Sequence, residues 1–214
     1  MRLRTTSGPD LSRERSLWAE GKNRVAGVDE VGRGALAGCV LAAAIVLPPD
    51  CDPDDLAVIH DSKALSPKRR REAVETIRKV ALAIGIGAAS PREIDRLNIA
   101  RATALAMRRA LARCGTVDHV LVDGVPVPDL GCEHTAIVKG DAQCLSIAAA
   151  SCIAKELRDQ LMKRLAVRYP DYGWDRNVGY GSHEHREAIE RLGLTPHHRQ
   201  SFGQFDQLVL FLST

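Results

Sequence analysis

Val25-Ala26-Gly27-Val28-Asp29-Glu30-Val31-Gly32-Arg33-Gly34 decides how the rest of the chain is read. An apolar run stops on two adjacent carboxylates and then turns between glycines. Residues 24–30 read as a buried strand and residues 36–47 as a second, because both are short apolar runs bounded by turn signals. Gly32-Arg33-Gly34 between them predicts a tight connection and antiparallel neighbours. Pro48-Pro49 ends the second strand.

Downstream, Ser66-Pro67 pairs an N-cap residue with proline at the first helical position, predicting a helix to about residue 80. Residues 81–89 read as a third strand. Ser90-Pro91 repeats the cap signal, and Glu93 completes a capping box. Apolar positions Ile94, Leu97, Ala104, Leu105 and Leu111 then predict one long helix to about residue 114. Residues 117–122 and 135–138 are the fourth and fifth strands, residues 142–167 a long helix, 169–182 a loop and 183–192 a further helix. Residues 204–212 read as helical too. This order predicts an α/β fold: a mixed five-stranded sheet flanked by helices, with a C-terminal helical extension. No repeat or low-complexity linker divides the chain. Three regions are expected: a poorly ordered segment over 1–22, in which residues 11–20 read as a loose helix, a catalytic core over 23–168, and a C-terminal loop and helical extension over 169–214.

The 214 residues suit one domain with its own core. Hydrophobic residues make up 45% and aromatic residues only 4%, so the core must be aliphatic. A formal net charge of +3 permits a polyanionic partner without requiring one. None of the six cysteines forms a C-x-x-C pair, which leaves zinc-ribbon and thioredoxin-like chemistry without support; the cysteines read as small buried hydrophobes. The first twenty residues lack an apolar leader, and no apolar run reaches the ~20 residues of a membrane span. A cytoplasmic protein without membrane contact is the expectation.

The acids carry the chemistry. Asp29 and Glu30 close the first strand, Asp123 closes the fourth, and Asp141 follows the fifth at the start of the long helix. Each is approached through apolar sequence. Taken singly, Asp123-Gly124 is a turn signal and Asp141 an N-cap. Taken together, carboxylates at three strand ends would repel one another if they converged, and a divalent cation is the usual compensation. All-oxygen ligands favour Mg²⁺ or Mn²⁺ over zinc. Two such ions ~3.5–4 Å apart serve phosphodiester cleavage.

Val28-Asp29-Glu30-Val31-Gly32-Arg33-Gly34 closely resembles the signature of type 2 ribonucleases H, the ribonuclease HII family. The resemblance continues through Asp61-Ser62-Lys63, Leu121-Val122-Asp123-Gly124 and Val138-Lys139-Gly140-Asp141. It extends through Ser146-Ile147-Ala148-Ala149-Ala150-Ser151, Ala154-Lys155, Tyr172-Gly173, Gly179-Tyr180-Gly181 and His198-Arg199-Gln200-Ser201-Phe202. It spans residues 23–203 in the family's order. It implies a ribonuclease H-like fold in which Asp29, Glu30, Asp123 and Asp141 hold the metals. It also implies endonucleolytic cleavage of RNA in RNA–DNA hybrids and incision 5′ to ribonucleotides embedded in duplex DNA.

The same resemblance assigns neighbours to substrate. Gly32, Arg33 and Gly34 would offer backbone amides to a ribose 2′-hydroxyl and a guanidinium to a phosphate; Lys63 would lie near the scissile phosphate; Tyr180 would pack on the sugar at the RNA–DNA junction. Without it, these residues read as a hairpin turn, a surface lysine and a buried loop tyrosine. Lys68-Arg69-Arg70-Arg71 reads as a nucleic-acid contact or a solvated face, and no histidine is given a catalytic role. Ala35, Ala64 and Val178 depart from the family's commonest pattern at positions that touch substrate affinity rather than the acids. The expected enzyme works as a monomer. Residues 204–214 read equally as a tail for a sliding-clamp-type partner or as a helix packed on the domain. Two other classes compete: a non-catalytic nucleic-acid-binding module, which has no need to crowd carboxylates near phosphates, and another metal-dependent nuclease on a similar core, which would cut plain DNA as readily.

Overall fold

The computed structural model describes residues 8–59, 62 and 65–202. Strands Val25–Val31 (β1) and Val40–Val46 (β2) pair antiparallel, placing Asp29 opposite Ala43. Ala83–Ala89 (β3) continues antiparallel beside β2. His119–Asp123 (β4) runs parallel to β1, and His134–Ile137 (β5) parallel to β4. The strand order is β3-β2-β1-β4-β5, the mixed five-stranded sheet expected.

Helices cover both faces, as the apolar runs of β1 and β2 require. Leu145–Arg168 (α5) packs on one face, where Leu41, Ala43 and Ile45 of β2 meet Ala149 and Ile153. Ile99–Leu111 (α4) packs on the other, where Ala26, Val28, Ala42 and Ala44 meet Ala106 and Met107. The period-2 alternation of the strands sorts these two cores. Small residues set the spacing: a side chain at Gly27 would collide with the backbone of Ser146 on α5. Pro67–Val80 (α2) starts where expected, with Ser66 Oγ accepting from the Arg69 amide.

Several expectations need correction. The connection between β1 and β2 is the long loop 32–39 rather than a tight turn. The loop reaches away to the C-terminal segment: the Leu36 amide donates to the Gly179 carbonyl, and the Arg199 amide to the Leu36 carbonyl. The single helix expected from 90 to 114 is two, Pro91–Leu97 (α3) and α4. They break at Asn98, whose φ of 68° ends one helix and whose Oδ1 caps the next by accepting from the Arg101 amide. Ser12–Ala19 (α1) forms within the segment 1–22, where residues 11–20 read as a loose helix; it is held because Leu11 and Glu14 are buried and Glu14 Oε1 accepts from the Ser146 amide and hydroxyl. The 169–182 stretch is not a plain loop; it holds a 3-10 turn, Pro170–Tyr172, and a short helix, Trp174–Asn177 (α6). His183–Leu192 (α7) is as expected. The helix expected at 204–212 lies outside the described residues. Among those described, no helix is long and apolar enough to cross a membrane. Cys114, Cys144 and Cys152 are buried, as small hydrophobes should be, but Cys132 is exposed.

Candidate active site

Alternation along β1 sends Asp29 toward the α5 face and Glu30 toward the α4 face. Asp29 is buried; its Oδ1 accepts from the Glu30 amide at 2.7 Å, and the Ser151 hydroxyl of α5 also bonds it. The Ser151 and Ser62 hydroxyls lie 2.8 Å apart. With Ser151 donating to Asp29, Ser62 donates to Ser151, and the three form a chain.

Asp123 ends β4 as a half-buried residue. Its Oδ1 accepts the Gly140 amide at 2.7 Å. That bond anchors the 3-10 turn Gly140–Ala142, entered through Lys139 at a left-handed φ of 55°. Asp141 is buried in this turn and does not open α5, contrary to the sequence expectation. The N-cap position of α5 is Cys144.

Carboxylate oxygens of Asp29, Asp123 and Asp141 lie within 4.8 Å of one another. Glu30 is not in this group. It turns into a cleft of about 370 Å³ lined also by Arg33, Asp123, Thr103 and Met107, and its Oε1 pairs with Arg33 Nη1 at 3.3 Å. Asp123 belongs to both the triad and the cleft. Burial and then the Glu30 charge push the Asp29 carboxyl from 3.8 up to about 8. Burial also raises Glu30, with Arg33 opposing. A set of hard oxygen donors this close, with one acid held protonated for want of a counter-charge, fits a divalent cation.

Next to the acids, the Gly32-Arg33-Gly34 turn meets Tyr180. A side chain at Gly34 would come 4.0 Å from the Tyr180 ring, and one at Gly32 would strike the Arg158 guanidinium. Tyr180 is partly exposed and lies over Arg158, 5.6 Å from guanidinium carbon to ring centroid. Lys63 and Ala64 lie outside the described residues. Arg70 is withdrawn from the basic run 68–71: it is buried against Glu156, Asp159 and the Ser62 carbonyl, while Lys68, Arg69 and Arg71 stay exposed. His185 and His198 are buried against Tyr172 and Trp174 in the core of the C-terminal extension. Sequence reasoning did not single out Ser62, Ser151, Arg158 or Arg199. Ser62, Ser151 and Arg199 lie within the motifs of the resemblance, but only their burial and hydrogen bonds single them out.

The family model for Ribonuclease HII matches residues 26–205. The Ribonuclease HII of Synechococcus sp. (strain JA-3-3Ab) is 56% identical over 200 residues, covering 94% of this chain and 90% of that protein. That of Granulibacter bethesdensis is 53% identical over 196 residues, covering 90% of each. Among solved structures, the RNase HII of Archaeoglobus fulgidus, in a complex with PCNA, superposes with a TM-score of 0.71 at 25% identity, covering 84% of this chain and 95% of that one. Bst-RNase HIII in complex with Mn²⁺ gives 0.67 at 17% identity, covering 90% and 71%, a likeness of fold.

Proposed function

The chain belongs to the ribonuclease HII family, and from that premise we propose that Asp29, Glu30, Asp123 and Asp141 hold the divalent cations with which it cuts its substrate. It is an endoribonuclease acting on RNA in RNA–DNA hybrids, and the family depends on divalent metal. The proposal adds the finer points: two ions, Mg²⁺ or Mn²⁺, and incision 5′ to single ribonucleotides embedded in duplex DNA, as in replication and repair. The observation that carries it is the convergence of Asp29, Asp123 and Asp141 within 4.8 Å, with Glu30 and Arg33 opening beside them onto one cleft.

Bound divalent cations supply Lewis-acid chemistry, activating water and stabilising the leaving oxygen. The chain's own residues do the rest. Asp29 and Asp141 present charge from buried positions, where electrostatic attraction is strong. Glu30, next to Asp29 on β1 and paired with Arg33 in the cleft, would supply the fourth carboxylate to the cations. Arg33 then meets a phosphate, and the Gly32-Arg33-Gly34 backbone meets the 2′-hydroxyl that distinguishes RNA from DNA. Tyr180, beside Gly34, packs on the sugar, and Lys63 approaches the scissile phosphate.

The proposal carries a core over 23–168 and an extension over 169–214, the latter bringing Tyr180 to the core. It also carries a monomer in the cytoplasm. A clamp-type partner engaging residues 204–214 is supported only by the complex of the Archaeoglobus relative with PCNA. The test compares three duplexes in Mg²⁺ or Mn²⁺: one with a lone ribonucleotide, a continuous RNA–DNA hybrid, and plain DNA. Nicking of the first on the 5′ side of the ribonucleotide, with plain DNA intact, is expected. Equal cutting of plain DNA, or cutting in excess chelator, would overturn the reading.

A further inference from the structure

Two arginines are completely buried beside the candidate substrate turn, and among the described residues neither forms an ion pair. Arg158, on α5, donates from Nε to the Cys39 carbonyl (3.0 Å), from Nη1 to the Val178 carbonyl (2.9 Å) and from Nη2 to the Ala37 carbonyl (3.0 Å). Arg199 donates from Nε to the Gly38 carbonyl (3.0 Å), from Nη1 to that of Arg33 (2.7 Å) and from Nη2 to that of Gly32 (2.6 Å).

Burying a guanidinium without a carboxylate is costly. Here all six of these bonds go to backbone carbonyls, five of them in loop 32–39 and the sixth at Val178, two residues before Tyr180. Val178 sits at φ 44°, ψ 34°, a left-handed conformation that a β-branched residue holds only when its surroundings impose it. The Arg158 fork supplies that restraint, together with Asn177 Oδ1 accepting from the Gly179 amide. The Tyr180 ring then rests over Arg158 itself. Burial pushes Arg199 down to about 10, so it stays charged at neutral pH.

We propose that Arg158 and Arg199 are positioning residues that hold the Gly32-Arg33-Gly34 turn and Tyr180 in register for one substrate sugar, with Arg158 joining the two. Arg199 fixes the turn alone; Arg158 spans loop 32–39 and the Tyr180 segment. This rests on the assignment of the turn and Tyr180 to substrate made above.

The test uses R158K and R199K in the full chain. Lysine keeps the charge and stem but loses the planar fork. Melting temperature and Mn²⁺ affinity are measured alongside kcat and KM on a lone-ribonucleotide duplex and on a continuous hybrid. Mn²⁺ affinity is expected to hold. R158K should lose on the order of 10²-fold in kcat/KM on the lone ribonucleotide, the loss attached to a misplacement of about 1 Å. The hybrid, which has no junction for Tyr180 to read at the cut, should lose less. Coupling tells positioning from general damage: Y180A should cost little once R158K is present, and R33A little once R199K is present, while R199K and Y180A should multiply.

Equal losses on both substrates, or multiplicative effects in the R158K–Y180A pair, would overturn the proposal. Should R158K fail to fold, the R199K–R33A pair decides alone, since the Arg199 side-chain hydrogen bonds all go to the loop. If Y180A and R33A leave the wild-type background unchanged, the substrate assignment has failed and the inference falls with it. If they cost activity and the lysine variants do not, only the inference has failed.

Discussion

The backbone amide of Gly140 donates a 2.7 Å hydrogen bond to Oδ1 of Asp123, so the turn that carries Asp141 hangs on the carboxylate that ends β4. A side chain at Gly140 would approach Ile147 Cδ1 to 2.7 Å and Ile137 Cβ to 3.3 Å. Gly140→Ala must therefore displace the Ile147 side chain or the turn. Such overpacking typically costs about 1–3 kcal/mol, or ~2–4 °C in Tm per kcal/mol for a chain of this size. Weaker Mn²⁺ binding, by calorimetric titration, should accompany the lower Tm. A variant that loses stability but keeps wild-type metal affinity would show that the turn does not set the geometry of the acids.

Asp29 gives a pH signature. Its carboxyl is raised from 3.8 to about 8 in the folded, metal-free chain. Between those values the folded state holds more protons than the unfolded one, so stability falls as pH rises. The contribution is complete below pH 3.8 and lost as pH climbs through 8. Thermal melts of the metal-free protein should show this decline, and Asp29→Asn should flatten it. Added Mg²⁺ or Mn²⁺ should stabilise the wild type more at pH 8 than at pH 5. Parallel pH profiles for wild type and variant would contradict the assignment.

The Ser151 hydroxyl favours the charged form of Asp29. Ser151→Ala removes that bond, worth ~1.5–3 kcal/mol for a charged acceptor, and strands Ser62 beneath it. Metal affinity at pH 7 should drop roughly tenfold or more. The deficit should shrink at pH 9, where protons compete less with the cation for Asp29. A deficit constant across pH would mean that Ser151 acts through packing instead.

Acid should loosen the C-terminal extension. Trp174 Nε1 donates to His185 Nε2, His185 Nδ1 donates to the Tyr180 carbonyl, and His198 Nδ1 accepts from the Thr195 amide. That leaves His198 Nε2 to donate to His185 Nε2 at 3.1 Å, and both rings are neutral. Burial and the facing His185 lower His198 from 6.5 to about 4. The unfolded state binds more protons between those values, so this stabilisation is complete above pH 6.5 and lost as pH falls through 4. In a Trp18→Phe background, Trp174 fluorescence should report a Tm that drops from pH 7 to pH 4. His198→Asn should reduce that drop.

The sequence was most legible where one local cause decided the outcome. Ser66-Pro67 started α2, and the capping box at Ser90 and Glu93 started α3, because both signals act within one turn. The break at Asn98 was hidden because apolar spacing continues across it while a single residue ends one helix and caps the next. Loop 32–39 was misread as a tight turn because its partners, Gly179 and Arg199, lie far along the chain. The acids were legible as strand ends, but their division was not. Period-2 alternation separates Asp29 from Glu30, and Asp141 joins Asp29 and Asp123 through a 3-10 turn that no pattern announced. Ser62 and Ser151 meet across 89 positions, a pairing only the folded chain reveals.

The most direct test is nicking of a duplex holding one ribonucleotide, in Mg²⁺ and separately in Mn²⁺, by wild type and by Asp29→Asn. The wild type should cut on the 5′ side of the ribonucleotide and stop in excess chelator. The variant should keep a wild-type circular dichroism spectrum and lose cleavage by several orders of magnitude. Full cleavage by a folded Asp29→Asn chain would contradict the claim that the carboxylates of Asp29, Asp123 and Asp141, with Glu30, form the metal-dependent active site.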